Sequence, residues 1–169
     1  MTKACVLDIK LGSQAYNPKK LARQQWKAEN STSRAHGFRI CGMSYYEPGD
    51  NEMTLINKYS CRAFQTANMR EKLGKFFEQP FLINQTISQL FRIKQVIEEC
   101  SHGIRFFGSS IVIMFCADSL QRAVQSNDAR CLQAVCKLVD FQKLKSTAGP
   151  NEDSEVFQAS IDEDSLNGI

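Results

Sequence analysis

The stretch that decides the fold is ACVLDIKLG, residues 4–12. Its residues alternate with the period of a β-strand, which puts Asp8 and Lys10 on one side, and a glycine that permits a tight turn follows. Such a pair suits phosphoryl transfer, because the carboxylate can orient an attacking hydroxyl while the lysine neutralises phosphate charge. On spacing alone, however, an ordinary surface salt bridge is the favoured interpretation, since such pairs are common and weak.

The segment after this strand carries a basic stripe. Pro18 suits the first turn of a helix, and we expect that helix to end at Glu29. Four side chains recur along it at helical spacing: Lys20, Arg23, Gln24 and Lys27. Such a stripe can bind several phosphates at once, but a solvated face that attracts any polyanion is an equally good interpretation. Trp26 is expected to pack on the sheet rather than to stack on a ligand.

A third feature is an aspartate at the end of an apolar strand. We predict a strand over Leu132–Phe141, in which Asp140 directly precedes Phe141. Kinases hold a phosphate-bound magnesium ion with an aspartate in this setting. An aspartate that only caps a strand end explains the pattern as well.

The remaining segments predict a mixture of helices and strands. Further strands are expected at 37–46, 53–59 and 104–116, with a turn at 47–51 between the first two. Helices are expected at 66–79 and at 84–100, the second capped by Asn84, and a polar, partly helical connector at 118–130. We therefore predict one α+β domain over residues 1–145 and an acidic, weakly ordered tail over 146–169.

Composition limits the class of protein. A chain of 169 residues with 43% hydrophobic residues can bury the core of one domain, which excludes a wholly disordered protein. The 21 Lys and Arg residues against 18 Asp and Glu residues give a net charge of +3, so no global charge marks a partner such as nucleic acid or a membrane surface.

The apolar segments and cysteines predict the compartment. The longest apolar run, 111–117, is far short of the roughly 20 residues of a membrane helix, so we expect neither a membrane span nor export. The seven cysteines are odd in number and lie mostly in apolar stretches, which favours reduced thiols in the cytoplasm or nucleus. Their spacing does not predict a structural zinc site.

Taken together, the motifs resemble a known family. Residues 4–12 match the signature Pro-x-x-x-Asp-x-Lys-x-Gly of the inositol polyphosphate kinases, except that Ala4 stands in place of the proline. Further similar blocks follow in the same order along the chain: Ala22–Lys27, Ser31–Ser33, Gly37–Met43, Asn57–Tyr59, Arg105–Ile111 and Val139–Phe141. Within the family, the chain looks most like the inositol hexakisphosphate kinases.

This resemblance implies a fold and a reaction. The fold would be α+β and related to protein kinases, and the chain would form mostly the C-terminal lobe, with an antiparallel sheet and inserted substrate-binding helices. ATP with Mg²⁺ would donate its γ-phosphate to a soluble inositol polyphosphate, and the hexakisphosphate would yield an inositol pyrophosphate. We expect a monomer that binds neither a membrane nor a specific nucleic acid.

The resemblance also implies residue roles. Asp8 and Lys10 would be catalytic, and Asp140 would bind the magnesium ion. Gly12, Ser109 and Ser110 would support the catalytic cleft. Substrate phosphates would be bound by five residues: Lys20, Arg23, Gln24, Lys27 and Lys143.

Departures from the family pattern leave a second function open. In the family a β-rich lobe with an ATP-phosphate lysine precedes the Asp-x-Lys motif, whereas seven residues precede Asp8, so we expect this chain to lack that lobe. The family's Ala-His after Asp-Phe is replaced by Gln142-Lys143, which removes a histidine but keeps a cation. The alternative is therefore a truncated or inactive module that binds inositol polyphosphates. Nucleic-acid binding through the basic helix is disfavoured by the near-neutral charge.

Overall fold

The computed structural model describes residues 3–12, 21–47, 51–100, 104–106, 108–140 and 144–146. Its central element is an antiparallel sheet of five strands in the order β3-β2-β1-β5-β6. These strands are β1 (Ala4–Leu11), β2 (Phe38–Tyr46), β3 (Met53–Ile56), β5 (Ser110–Cys116) and β6 (Val135–Val139). A separate pair joins β4 (Ile104–Phe106) to β7 (Leu144–Ser146).

Six α-helices accompany the strands in the described part of the chain. They are α1 (Leu21–Glu29), α2 (Ser33–His36), α3 (Lys58–Arg62), α4 (Thr66–Phe76), α5 (Pro80–Cys100) and α6 (Ala117–Ser126). The predicted α+β class and the antiparallel sheet are confirmed. Apart from Ser146, the predicted tail lies outside the described residues. None of the described helices combines the length and the apolar character that a membrane span requires.

The core lies on one face of the sheet. Strand alternation turns Leu7 of β1 and Ile113 of β5 toward this face, where each is at most 1% exposed. Helices α4 and α5 cover the face, and Phe76 of α4 meets Phe115 of β5 edge to face at 5.2 Å between ring centroids. The opposite face is mixed, because β1 places Val6 there as well as Asp8 and Lys10.

Two glutamines of α5 hydrogen-bond to the backbone just before and at the start of the edge strand β6. Gln85 donates to the Leu132 carbonyl at 2.9 Å and accepts from the Ala134 amide at 3.0 Å. Gln89 donates to the Ala134 carbonyl at 2.6 Å and accepts from the Cys136 amide at 2.8 Å. The side-chain amides thus satisfy backbone groups that an edge strand leaves without a neighbour. They fix the position of β6 and of the aspartate that follows it.

We expect Gln89→Ala to lower the free energy of unfolding by about 1 to 3 kcal/mol, because it leaves two buried backbone groups without partners. Alanine favours a helix at least as well as glutamine, so no loss arises from α5 itself. Urea denaturation measures the change, and Gln95→Ala, at an exposed position of the same helix, is the matched control. Equal stability of the two variants would contradict this role of Gln89.

Several boundaries differ from the prediction, and residues 57–59 have the wrong element type. The expected strand over 53–59 ends at Ile56, because the Asn57 side chain accepts hydrogen bonds from the Tyr59 and Ser60 amides at 2.9 and 3.1 Å. Asn57 thereby caps α3, a helix that the strand prediction missed. Helix α2 was not predicted either. The prediction that Asn84 caps α5 is wrong, since that helix begins at Pro80.

The expected continuous strand over 104–116 is also wrong. Gly108 adopts φ +69°, which interrupts the strand and sends β4 into the second sheet with β7. The strand-forming residues farther along on both sides hid this break. The predicted polar connector after it is more helical than expected, since α6 fills 117–126 and ends at Asn127 with φ +49°.

Two buried thiols predict a loss of stability at high pH. Burial raises the pKa of Cys61 and that of Cys136 to about 11, from 9.0. Their contribution to stability is complete below the unfolded pKa and is lost as the pH rises toward 11, because the unfolded chain releases these protons first. We expect the melting temperature to fall between pH 9 and 11, and the fall to be smaller when both residues are replaced by alanine. An identical fall in that variant would contradict this assignment.

Candidate active site

The side chains of Asp8 and Lys10 lie on the sheet face turned away from the core. Their neighbours Leu7 and Ile9 pack into the core, so the alternation of β1 places the two charged residues on the other face. Because β1 is the central strand, its charged residues have β2 on one side and β5 on the other. The structure therefore places the predicted pair as the strand period indicates.

Lys10 connects three strands at one end of the sheet. Its ammonium group lies 2.9 Å from Asp140 Oδ2 and donates to Ser110 Oγ at 3.2 Å. The Ser110 side chain is buried, whereas that of Asp140 is 63% exposed. A Cβ added at Gly108 would lie 3.8 Å from Lys10 Cε, which shows that this turn passes close to the lysine stem. The fold thus brings together Lys10, Ser110 and Asp140.

Four residues at the same end of the sheet have a positive φ angle. They are Gly12 at +93°, Gly37 at +74°, Gly108 at +69° and Asp140 at +66°. Gly12 donates to the Gly37 carbonyl at 2.7 Å, which ties the end of β1 to the start of β2. Only glycine adopts this conformation freely, and a non-glycine residue there stores strain of the kind found at functional sites. Asp140 is therefore held in an uncommon backbone geometry directly beside Lys10.

Two buried polar atoms at this site have no hydrogen-bond partner among the described residues. They are Asp8 Oδ1 and the hydroxyl of Ser109. Ser109 is 3% exposed, and its carbonyl accepts from the Leu11 amide at 2.9 Å, so its backbone is fixed beside β1. Buried polar groups are nearly always paired, so each exception calls for an explanation such as a catalytic role. Asp8 and Ser109 are therefore candidate functional residues.

The residues fit a magnesium ion that arrives on a nucleotide. Within the described residues, no three His, Cys, Asp or Glu side chains group closely enough to hold a resident metal. Magnesium carried by a nucleotide needs one or two carboxylates, because phosphates and water complete its shell. Asp140, exposed at the site and fixed by Lys10, meets this requirement.

Only part of the predicted basic stripe can be placed. Lys20 and Lys143 lie outside the described residues, as do the side chains of Arg23 and Gln24. Lys27 is half-buried in the last turn of α1. Trp26 is 57% exposed, so the expectation that it packs on the sheet is wrong. The helix buries Ala28 instead, and a residue two positions earlier points about 200° away around the helix.

Sequence analysis missed Arg39, which lies opposite Lys10 in the adjacent strand β2. The register shifts between Asp8 and Ile9, because Cys41 forms a bulge in β2. Burial raises the pKa of the Cys41 thiol; the Arg39 cation opposes this effect and the Asp8 carboxylate adds to it. The charges of Arg39 and Asp8 therefore both influence the pKa of Cys41 at the bulge. The alternation of β2 would have placed Arg39 on the same face as Lys10 only if the position of the bulge had been known.

Comparisons with known proteins identify the family of this chain. A sequence model of the inositol polyphosphate kinase family matches residues 1–169. Human inositol hexakisphosphate kinase 2 is 30% identical over 138 residues, which cover 76% of this chain and 32% of that protein. Rat inositol hexakisphosphate kinase 1 is 31% identical over 120 residues, 66% of this chain and 28% of its own length. The chain thus spans about a third of the length of the curated relatives it matches.

Solved structures share the fold. Inositol phosphate multikinase from S. cerevisiae, in complex with ADP and Mn²⁺, superposes with a TM-score of 0.63 and 24% identity, covering 87% of this chain and 70% of that one. A second inositol phosphate multikinase structure gives a TM-score of 0.67 at 21% identity, over 86% of this chain and 70% of the other. With a family model that matches its whole length, this chain belongs to the inositol polyphosphate kinase family.

Proposed function

We propose that this chain binds an inositol polyphosphate and transfers the γ-phosphate of ATP to one of its oxygens. The observation that carries the proposal is the cluster on the outer sheet face, where Lys10 contacts Asp140 and Ser110, and Asp8 lies on the same face. Family membership supports kinase chemistry for such a cluster. The relatives named as inositol hexakisphosphate kinases support the hexakisphosphate as acceptor, and inositol pyrophosphate as product.

The proposed mechanism assigns one task to each side chain. Asp8 accepts a hydrogen bond from the protonated attacking oxygen of the acceptor, which is a phosphate oxygen in the hexakisphosphate, and takes up its proton as that oxygen attacks. As that oxygen bonds to the γ-phosphorus, the bond to the bridging oxygen of ADP breaks, and the Lys10 ammonium stabilises charge on the moving phosphoryl group. The buried hydroxyls of Ser109 and Ser110 border the cleft. Gly12 lets the chain turn at the end of β1, two residues after Lys10.

Asp140 is proposed to hold the magnesium ion of the nucleotide. A magnesium ion bound there supplies positive charge to the phosphate oxygens during transfer. The ADP and Mn²⁺ present in the yeast multikinase structure support the use of a nucleotide and a divalent ion. The ion pair with Lys10 orients the Asp140 carboxylate before either ligand arrives.

The acceptor is proposed to lie between Lys10 and the α1–α2 segment. The predicted basic stripe at and just before this segment consists of three cations and one neutral amide: Lys20, Arg23, Lys27 and Gln24. Lys143 is the further predicted phosphate ligand. An acceptor with several phosphates needs several cations at once, which one lysine on the sheet does not supply.

The free state of the six described cysteines supports the proposed cytoplasmic or nuclear location.

Calorimetry followed by a turnover assay tests the proposal. We expect the chain to bind inositol hexakisphosphate and, separately, magnesium-ATP, and to convert radiolabelled ATP into labelled inositol pyrophosphate. Binding of the hexakisphosphate with no heat from magnesium-ATP would instead indicate the alternative, a non-catalytic binding module. Absence of binding to any inositol phosphate at millimolar concentration would contradict both functions.

A further inference from the structure

Arg39 is a cation whose position in the sheet is unusual. It pairs directly across β2 and β1 with Lys10, so two positive side chains occupy neighbouring positions on one face. Like charges directly opposite each other destabilise a sheet unless an anion offsets them. Lys10 has such an anion in Asp140 at 2.9 Å. No carboxylate among the described residues lies within ion-pair distance of Arg39.

The Arg39 side chain is nevertheless held in place. Its Nη1 donates to Ser33 Oγ at 2.9 Å, and Ser33 is fully buried at the start of α2. The loop behind it is closed by Thr32, whose hydroxyl donates to the Phe38 carbonyl at 2.9 Å. A half-buried guanidinium fixed at one nitrogen keeps its remaining N–H donors for another partner. Fixing the side chain in advance reduces the entropy lost when that partner binds.

Strand order indicates which partner this is. Lys10 lies in the central strand, with Arg39 in β2 on one side and Asp140 after β6 on the other. Strand β2 adjoins β1 on one side, and β5 followed by β6 lies on the other, so Arg39 and Asp140 flank Lys10 from opposite sides. Under the proposed function, Asp140 holds the magnesium ion of the nucleotide, so the nucleotide lies on the Asp140 side of Lys10. Arg39 is on the side of α1 and α2, where the acceptor is proposed to lie.

We propose that Arg39 binds a phosphate group of the inositol polyphosphate acceptor and, with Lys10, holds that acceptor against the sheet. This inference rests on the proposed function and adds an acceptor-binding residue to it. Arginine suits the task because its planar fork donates two parallel hydrogen bonds to one phosphate. Ser33 acts as the positioning residue, since its buried hydroxyl sets the orientation of the guanidinium.

Binding measurements on variants of the full chain test this assignment. We expect Arg39→Gln to weaken binding of inositol hexakisphosphate by about 10- to 100-fold, the loss typical of a charge-assisted hydrogen bond. Affinity for magnesium-ATP should change by less than about twofold, because Asp140 and Lys10 remain. Arg39→Lys keeps the charge but loses the fork, so its affinity should lie between wild type and Arg39→Gln. Ser33→Ala should also weaken acceptor binding while Arg39 is still present.

The control is Arg122→Gln, at an exposed position of α6 where the guanidinium donates to Ser119 Oγ at 3.0 Å. It removes the same charge from a helix outside the proposed acceptor site and should leave both affinities unchanged. Wild-type acceptor affinity in folded Arg39→Gln, or an equal loss of magnesium-ATP affinity, would overturn the inference. If Arg39→Gln does not fold, wild-type affinity in both Arg39→Lys and Ser33→Ala would overturn it instead. A wild-type chain that binds no inositol phosphate would remove the proposed function, and this inference with it.

Discussion

Asp8→Asn should lower the rate of phosphate transfer by about 100- to 10,000-fold while the protein stays folded. The substitution keeps the size of the side chain but removes the negative charge that orients the acceptor and takes up its proton where it carries one. A positioned general base contributes about 100- to 10,000-fold to a rate, so we expect a loss of that size. Transfer of label from ATP to the inositol phosphate measures it. A rate equal to wild type would remove Asp8 from any catalytic role.

The stability of the same variant gives an independent test. Asp8 Oδ1 is buried and has no hydrogen-bond partner among the described residues, so the folded protein bears the cost of desolvating this oxygen. Replacing the carboxylate with an amide removes a half-buried charge, and we expect the melting temperature to stay the same or to rise. Lower activity combined with equal or higher stability is typical of a functional residue. Asp118→Asn, which affects a carboxylate 3.9 Å from Lys3, is the control and should retain full activity.

Lys10→Met should lower the transfer rate by about 100- to 1,000-fold, the loss found when one donor to a developing anion is removed. Methionine preserves the length and the apolar stem of the side chain, so the change isolates the ammonium group. The ion pair with Asp140 is lost as well, but that carboxylate is 63% exposed. Partly exposed pairs contribute about 0 to 1 kcal/mol, so unfolding in urea should change little.

The comparison variant for Lys10 is Lys94→Met on α5. Its ammonium group pairs with Glu98 at 2.8 Å, and its side chain is 62% exposed, so the substitution also breaks one surface ion pair. We expect equal stability in the two variants and a loss of activity in Lys10→Met alone. A large loss of stability in Lys10→Met, in proportion to its loss of activity, would indicate that Lys10 serves the fold rather than the reaction.

Much of the fold follows from local patterns. The alternation of residues 4–11 predicts β1 to the residue, and the apolar spacing in 84–100 predicts most of α5. The errors lie where one side chain or one backbone angle overrides the pattern. Asn57 turns a β-rich stretch into a helix start, and Gly108 divides an apolar run into strands of two different sheets. Both effects depend on a single residue, whereas a hydrophobic period is read from the average over many residues.

The candidate site, like the fold, could be predicted from the sequence only in part. That Asp8 and Lys10 share a face follows from the strand period, and the resemblance of their motif to the family rests on the sequence alone. Arg39 was missed because the bulge at Cys41 shifts the register, so its partner in β1 cannot be counted from the sequence. Likewise, nothing in the sequence of α5 indicates that Gln85 and Gln89 hold the strand that precedes Asp140.

The sequence by itself determined the family motif, the side of β1 that carries charge and the type of most elements, because these depend on residues close together in the chain. Only the tertiary structure decided that Lys10 meets Asp140, which is 130 residues away. That contact depends on the strand order β1-β5-β6 and on the positive φ of Asp140. Strand order reflects the burial of one shared core by all the strands together, and no short stretch of sequence contains that information.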